Sequence, residues 1–274
     1  MSDFSIEWLD LREAADHEAR DERLLRITTN WLDNLKIPNK VIVDLGSGTG
    51  STIRALHTAN PHMSSVNWRL IDNDRKVLAE AVRRHAKENL IEDYVIDLSD
   101  TRKLPLENVC LVTTSALLDL VSADFIRELS HLIKRETKFH SVGLYSALNY
   151  DGKIEWTPLH PLDGRVLDNF NNDQRRDKGC GLALGPEAAE FLQSQFEADE
   201  FEVFSASSPW QLGPNDQHLT NSLIDGIANV ALQSSNFTAS EVMEWKKFRM
   251  KHVKSCSCSV GHVDVLVLSR ESLG

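Results

Sequence analysis

The sequence predicts an α/β protein with a doubly wound, mostly parallel sheet. Strand-like and helix-like segments alternate from residue 38 onwards, which is typical of βαβ units. The first strand-like run, residues 41–43, is entirely apolar and β-branched, as expected of a strand buried on both faces. A glycine-rich turn at residues 46–50 then leads into a helical segment, so the first βα unit is the best defined part of the pattern.

The other elements follow from hydrophobic periodicity. Residues 1–37 predict a helical cap, because apolar residues recur there at three- and four-residue spacings. Residues 38–274 form the predicted sheet domain, with insertions at about 147–185 and 207–260. The predicted strands lie at 41–43, 68–71, 94–96, 109–112, 141–145, 201–204 and 263–268. The predicted helices lie at 52–59, 74–87 and 123–133, after Pro186, and at 216–233 and 239–253. The segment of about 40 residues after the fifth strand reads as a long loop.

Charge and composition narrow the classes of function. The chain has 41 acidic and 30 basic residues and a net charge of −11, so neither nucleic acid nor membrane is an expected partner. No apolar run approaches the roughly 18–20 residues that span a bilayer, and the acidic N-terminus is unlike a signal peptide. Four cysteines are too few for a disulfide framework. We therefore expect a soluble, cytoplasmic protein.

A metal site is not expected. Cys256 and Cys258 stand near His262, but a second ligand pair at zinc-finger spacing is missing from the sequence.

The glycine turn carries the most specific chemical information. Gly46, Gly48 and Gly50 follow a buried strand whose acidic residue, Asp44, precedes the first glycine by two positions. Glycine allows a ligand to approach the backbone closely. The spacing differs from the G-x-G-x-x-G of dinucleotide sites, and a phosphate-binding Gly-Lys-Ser/Thr is absent from the sequence. A carboxylate at position 44 repels a pyrophosphate and suits an ammonium group.

The segment Asp44-Leu-Gly-Ser-Gly-Thr-Gly resembles the first motif of class I S-adenosylmethionine-dependent methyltransferases. Asp72 and Asp97, at the ends of the second and third predicted strands, agree with that resemblance. It implies S-adenosylmethionine as cofactor and S-adenosylhomocysteine as product, with Asp72 at the ribose hydroxyls and Asp97 at the adenine amine. It also implies a seven-stranded sheet whose last strand is antiparallel, between strands five and six. Both aspartates could instead cap helices, and the two roles are compatible.

The expected cofactor-binding residues lie at strand ends and on the first helix. They are Arg12, Asp44, Gly46, Ser47, Gly48, Gly50, Asp72, Asn73, Asp97, Leu98 and Thr113. Arg12 is included because an arginine on a preceding helix could pair with the cofactor carboxylate. A solvated helix face is the alternative for Arg12.

Catalytic and substrate-binding candidates follow from topology. Ligands of open parallel sheets bind outside the carboxyl ends of the strands, where both insertions also begin. The insertions and the first helix should therefore enclose a pocket suited to a small substrate. Candidates for a general base are Asp119, Tyr150 and His160. Candidates for substrate contacts are Trp156, Asp173, Arg175 and Lys178, although Trp156 could simply pack in a core and the polar residues could form a solvated turn.

The expected activity is methyl transfer from S-adenosylmethionine to a small polar metabolite by in-line displacement (EC 2.1.1.-). Two alternatives remain open at this point: a methyltransferase that acts on tRNA or protein, and a module of the same fold that binds the cofactor without turnover. The acidic charge counts against a macromolecular substrate. A nicotinamide-dependent oxidoreductase is a remote further alternative.

Overall fold

A computed structural model of the chain describes residues 5–61 and 66–270. Its strands are β1 (Lys40–Leu45), β2 (Val66–Asp72), β3 (Leu90–Val95), β4 (Val109–Ser115), β5 (Gly143–Thr157), β6 (Glu202–Ser207), β7 (Trp210–Leu212) and β8 (Ser257–Leu268). Its helices are α1 (Ile6–Ala19), α2 (Glu22–Asn34), α3 (Ser51–Ala59), α4 (Arg75–His85), α5 (Ala123–Glu136), α6 (Asp163–Gln174), α7 (Ala188–Ala198), α8 (Gln217–Leu232) and α9 (Ala239–His252). Short 3-10 turns lie at Thr101–Lys103, Leu118–Leu120 and Gly185–Glu187.

The strands form one sheet in the order β3-β2-β1-β4-β5-β8-β6. Strands β1 to β5 pair in parallel, whereas β8 is antiparallel to both β5 and β6. The predicted fold class is confirmed, including the antiparallel last strand between strands five and six. The architecture is a doubly wound, Rossmann-like α/β fold.

Two layers of helices bury the centre of the sheet. On one face, Val43 packs with apolar residues of α5 and α7, among them Leu129 and Leu192. On the other face, Ile42 packs in a cluster that includes Leu24 of α2 and residues of α3 and α4. Every residue of β1 is buried because both of its faces are covered. The first ligand-binding turn therefore starts from a rigid central strand.

The fifth strand is longer than the sequence indicates, and the predicted loop after it is wrong. Strand β5 continues to Thr157, paired with β8, and α6 follows. Ile154 and Trp156 are buried while Lys153 and Glu155 are exposed, which is the period of a strand with one covered face. A register shift between Tyr150 and Ile154 interrupts that period, so the pattern is hard to see in the sequence.

The short strand β7 also pairs with β8, so the described sheet has eight strands instead of the predicted seven. It lies against the extension of β5 and β8 beyond the main sheet, with Trp210 opposite Val260. Both strands of this extension leave the edge at which parallel sheets bind ligands.

The insertions have an apolar core of their own, called here the insertion core. Trp156 of β5 lies in it and meets Trp245 of α9 edge to face, with ring centroids 6.3 Å apart. Arg249 is buried there, 4.8 Å from the Trp156 ring centroid and ion-paired with Asp163. Trp156 thus packs in a core, which was the alternative to the substrate contact that the sequence predicted for it.

Among the described residues, a helix with both the length and the apolar character needed to cross a membrane is absent. The same residues lack any group of three or more histidine, cysteine or acidic side chains placed to hold a metal ion. The four cysteines are free and buried.

Candidate functional site

A cavity of about 940 Å³, part of it open to solvent, lies at the carboxyl ends of β1, β2 and β4. Seven of the predicted cofactor-binding residues line it: Arg12, Gly46, Ser47, Gly48, Asp72, Asn73 and Leu98. The structure therefore brings together residues from the first helix, the glycine turn and the second and third strand ends.

The glycine turn needs glycine for its backbone conformation and for close packing. Gly46, Gly48 and Gly50 have φ angles of +63°, +54° and +84°. Side-chain-bearing residues rarely adopt this region. A Cβ added at Gly46 would lie 3.2 Å from Leu117, and one at Gly48 would lie 3.3 Å from Leu9. The turn thus presents bare backbone to the cavity beneath α1.

Asp72 holds the glycine turn against the end of β2. One of its carboxylate oxygens accepts a hydrogen bond from the Gly48 N–H at 3.0 Å, and the other accepts one from the Asp74 N–H at 3.0 Å. Burial raises the pKa of Asp72 above its ordinary value, which these backbone hydrogen bonds oppose. A carboxylate has about four lone-pair positions, so Asp72 keeps acceptor capacity for a ligand.

Asp44 lies behind the turn and is 1% exposed. Its Oδ1 accepts a hydrogen bond from the Thr113 hydroxyl at 2.7 Å, whereas its buried Oδ2 is without a hydrogen-bond partner in the described part of the chain. Burial raises the pKa of Asp44 to about 7, against the effects of Thr113 and the charge of Arg20. Thr113, predicted to touch the cofactor, contacts Asp44 in this structure.

Asp97 lies apart from the cavity wall, although the next residue, Leu98, lines it. Its carboxylate is exposed and accepts a hydrogen bond from the Ser99 N–H at 2.9 Å. The hydrogen bonds from Ser99 lower the pKa of Asp97. Strand β3 ends at Val95, two residues before Asp97, which leaves this carboxylate in a turn. The adenine contact of Asp97 stays a prediction.

Helix α1 forms the roof of the cavity through Leu9, Arg12 and Asp16. Arg12 pairs with Asp16 through two hydrogen bonds, of 2.8 Å from Nε and 3.1 Å from Nη2. The Arg12 guanidinium also lies 5.2 Å from the ring centroid of Trp210. Arg12 therefore faces the cavity with its charge already paired.

The other side of α1 is tied to the helices that follow β1 and β2. Asp10 accepts hydrogen bonds of 2.6 and 2.9 Å from Arg84 of α4, and Glu13 is ion-paired with Arg54 of α3. These links cross the glycine turn, so α1 covers the turn as well as the cavity.

A second group of polar side chains lies beside the roof and is called here the acceptor cluster: Asp119, Tyr150 and His262. Asp119 is 8% exposed, and its buried Oδ1 is unpartnered among the residues described. Burial raises the pKa of Asp119 to about 6, and the charge of Arg12 opposes this. Burial, followed by the charges of Asp151 and Asp119, raises the pKa of Tyr150.

His262 is the member of the acceptor cluster that sequence reasoning missed, since it was weighed only as a metal ligand. It is 5% exposed, and its Nδ1 is unpartnered within residues 5–61 and 66–270. Its ring centroid lies 5.2 Å from that of Trp210 and 6.2 Å from that of Tyr150. Burial lowers the pKa of His262 to about 4, so the imidazole is neutral at pH 7. The only sequence signal was strand periodicity, which places His262 on the same face of β8 as Val260 and Asp264, and the structure shows all three buried.

The remaining predicted site residues lie outside the cavity wall. His160 accepts a hydrogen bond from the Leu162 N–H at 3.2 Å, and its ring centroid lies 4.8 Å from that of Phe248 of α9, with the two rings tilted by 56°. Asp173 and Lys178 form an ion pair of 2.7 Å. His160 thus belongs to the junction of α6 and α9.

The last predicted substrate residue, Arg175, is ion-paired with Glu187, and its charge lowers the pKa of Tyr150 against the dominant effect of burial. Tyr150 in turn donates a hydrogen bond of 2.8 Å to Asn171. The 171–187 segment therefore borders the acceptor cluster, although it lies outside the cofactor cavity wall.

Comparisons with known proteins find similar structures only. Neither a family model nor a curated protein sequence matches the chain. A mycolic acid cyclopropane synthase in its apo form is 11% identical, covering 97% of this chain and 100% of that one with a TM-score of 0.48. A cyclopropane synthase from Mycobacterium tuberculosis is 14% identical over 90% of this chain and 82% of that one, with a TM-score of 0.46. A geranyl diphosphate C-methyltransferase from Streptomyces coelicolor A3(2) is 12% identical over 89% and 73%, with a TM-score of 0.43.

Proposed function

We propose that this chain is an S-adenosylmethionine-dependent methyltransferase (EC 2.1.1.-) that acts on a small polar metabolite. The observation that carries the proposal is the glycine turn at the carboxyl end of β1, fastened by Asp72, with Asp44 buried behind it and α1 above it. Two carboxylates at one turn disfavour a pyrophosphate and favour a cationic ligand that also carries hydroxyl groups. S-adenosylmethionine has both features.

The residues present fit such a cofactor. Asp72 retains acceptor capacity for ribose hydroxyls, and the apolar side chains of Val77 and Leu98 line the wall beside it, where a flat adenine ring would be accommodated. Asp44 has an unpartnered Oδ2, in the part of the chain described, that suits an ammonium group. When bound, the cofactor supplies an electrophilic methyl group on a sulfonium.

The acceptor cluster supports a substrate that carries an N–H or O–H group. His262 is neutral at pH 7 with its Nδ1 available, so it can accept a hydrogen bond from an attacking amine or hydroxyl and orient it. Asp119 offers a second buried acceptor close to Arg12. Helix α1, β7 and the insertion core surround this region, which supports a small substrate over a macromolecule. Enclosure lets the side chains orient the reactants and exclude water.

Isothermal titration calorimetry with S-adenosylmethionine and S-adenosylhomocysteine tests the cofactor assignment. We expect saturable binding of both ligands, and absence of binding would contradict the proposal. The substrate class is tested by incubating the protein with labelled S-adenosylmethionine and, separately, metabolite, tRNA and protein fractions. We expect label in the metabolite fraction. Label in RNA or protein would favour the macromolecular alternative, and binding without turnover in any fraction would favour a non-enzymatic module.

A further inference from the structure

Several buried polar atoms without hydrogen-bond partners belong to residues at or next to the carboxyl ends of β1 and β4. Among the described residues they include Nε and Nη1 of Arg20, Oδ2 of Asp44, Oγ of Ser47 and Oγ1 of Thr114. Asp44 and Ser47 belong to the end of β1, Thr114 belongs to the end of β4, and Arg20 contacts Ser115, the last residue of β4. Buried polar groups in folded proteins are nearly always paired. Unpaired groups at the ends of two neighbouring strands, beside Ser47 and Ser115 of the cavity wall, therefore suggest contact with a polar ligand.

Arg20 is the cation in this group. It stands at the C-terminal end of α1 and is 3% exposed. Its Nη2 donates a hydrogen bond of 2.8 Å to the hydroxyl of Ser115, which lines the cavity. Guanidinium carries five N–H donors, so most of its capacity is unused. A buried guanidinium with unused donors is strongly stabilised by an anion that accepts their hydrogen bonds.

The carboxylates near Arg20 are occupied by other donors. Burial acts to lower the pKa of Arg20, but the charges of Tyr145, Asp264 and Asp16 and a hydrogen bond with Tyr145 raise it on balance. Both oxygens of Asp264 already accept hydrogen bonds from Asp21, Tyr145, Leu148 and Ser208. Both oxygens of Asp16 accept hydrogen bonds from Arg12, and Oδ1 also accepts one from Trp210. Arg20 is thus kept charged by its neighbours while its free donors stay available.

We propose that Arg20 binds the α-carboxylate of S-adenosylmethionine, while Asp44 faces its ammonium group. The inference rests on the proposed function and names the residue that recognises the amino-acid end of the cofactor. Arg20 and Asp44 are buried, opposite in charge and close enough for the charge of Arg20 to act on Asp44. An α-amino acid group, which carries one charge of each sign, complements such a pair.

This assignment replaces the sequence-based prediction that Arg12 holds the carboxylate. Arg12 donates two hydrogen bonds to Asp16 and lies over the Trp210 ring. Arg20 is deeper, and its contact with Ser115 connects it to the cavity wall. Arg20 is buried whether or not the cofactor is bound. A ligand that lacks the carboxylate leaves the free donors of Arg20 unpaired, so it should bind much more weakly.

Calorimetry with a pair of ligands tests the inference. S-adenosylmethionine and its decarboxylated analogue are titrated into the wild-type protein, Arg20→Gln, Arg20→Lys and Arg12→Gln, with the exposed Arg26→Gln as a surface control. We expect the wild type to bind the carboxylate-bearing ligand about 10- to 100-fold more tightly than the analogue. Arg20→Gln should abolish this ratio and Arg20→Lys should keep part of it. The ratio should persist in Arg12→Gln and Arg26→Gln.

The outcomes separate the inference from the proposed function. If the wild type binds both ligands equally well, or if the ratio survives in Arg20→Gln and collapses in Arg12→Gln, the carboxylate assignment is wrong while the cofactor assignment stands. If the wild type binds neither ligand, the proposed function fails. Circular dichroism reports whether Arg20→Gln is folded, and the ligand ratio of the wild type decides the matter even if that variant is not.

Discussion

Trp210 donates its indole N–H to a carboxylate oxygen of Asp16 over 2.9 Å, which joins β7 to α1. Both groups are buried, and Asp16 holds Arg12 in the same arrangement. Helix α1 also packs Ala15 and Leu11 against the insertion core, so this polar contact adds to an apolar one. A strand of the second insertion therefore helps to position the roof of the cofactor cavity.

Replacement of Trp210 by phenylalanine should loosen this roof. The change leaves a buried carboxylate oxygen with one hydrogen bond fewer, which costs about 1–3 kcal/mol of unfolding free energy. Hydrogen exchange of α1 amides should become faster. Trp245→Phe is the matched control, because it removes an indole hydrogen bond of 2.8 Å to Asp163 in the insertion core. Equal acceleration of α1 exchange in both variants would show that Trp210 does not position the helix.

Asp44 should destabilise the fold at neutral pH. Its pKa is raised to about 7 by burial, whereas an unfolded aspartate has a pKa near its ordinary value of 3.8. The protonated side chain stabilises the folded state fully below pH 3.8, and that contribution is lost as pH rises towards 7, at about 1.4 kcal/mol per pH unit. Asp44→Asn should therefore gain stability relative to the wild type as pH rises from 5 to 8, while its affinity for S-adenosylmethionine falls.

Urea unfolding at several pH values measures this difference. The exposed Asp93→Asn is the control, and its stability difference from the wild type should stay nearly constant with pH. A difference between Asp44→Asn and the wild type that does not grow with pH would contradict the ionisation assigned to Asp44.

Asp72 and Asp97 should differ in their effect on cofactor binding. Asp72→Asn removes a carboxylate that lines the cavity and fastens Gly48, so we expect affinity for S-adenosylmethionine to fall about 10- to 100-fold. Asp97→Asn alters an exposed carboxylate outside the cavity wall and should have a much smaller effect. Calorimetry decides between them. A large loss in Asp97→Asn would restore the predicted adenine contact, with a movement of the turn around Ser99.

His262 should remain neutral well below pH 6.5. Its pKa is lowered to about 4 because burial penalises the charged imidazolium. The unfolded chain therefore binds a proton that the folded chain excludes, and stability is lost as pH falls from 6.5 towards 4. The ¹⁵N shifts of the His262 ring, assigned with His262→Asn, should show an unprotonated imidazole at pH 6. His262→Asn should also lose less stability than the wild type between pH 7 and 5. A protonated His262 at pH 6 would contradict the lowered pKa and the assignment of His262 as a neutral hydrogen-bond acceptor.

Local features of the sequence determined the fold class and the first half of the site. A strand buried on both faces must be apolar throughout, and a turn that presents bare backbone must be rich in glycine, so residues 41–50 were recognisable without partners. Asp72 was found for the same reason, because the end of β2 is visible in the local pattern. These features depend on contacts that are close in sequence.

Tertiary structure alone decided the other half of the site. Tyr150 meets His262 because β5 and β8 pair with a shifted register, and Asp16 meets Trp210 although 194 positions separate them in the chain. Arg20 and Arg12 look alike in sequence, and only the surrounding acceptors show that Arg12 is paired with a carboxylate whereas Nε and Nη1 of Arg20 lack partners among the described residues. Register, burial and the competition of donors for one carboxylate are properties of the packed molecule, and no local spacing encodes them.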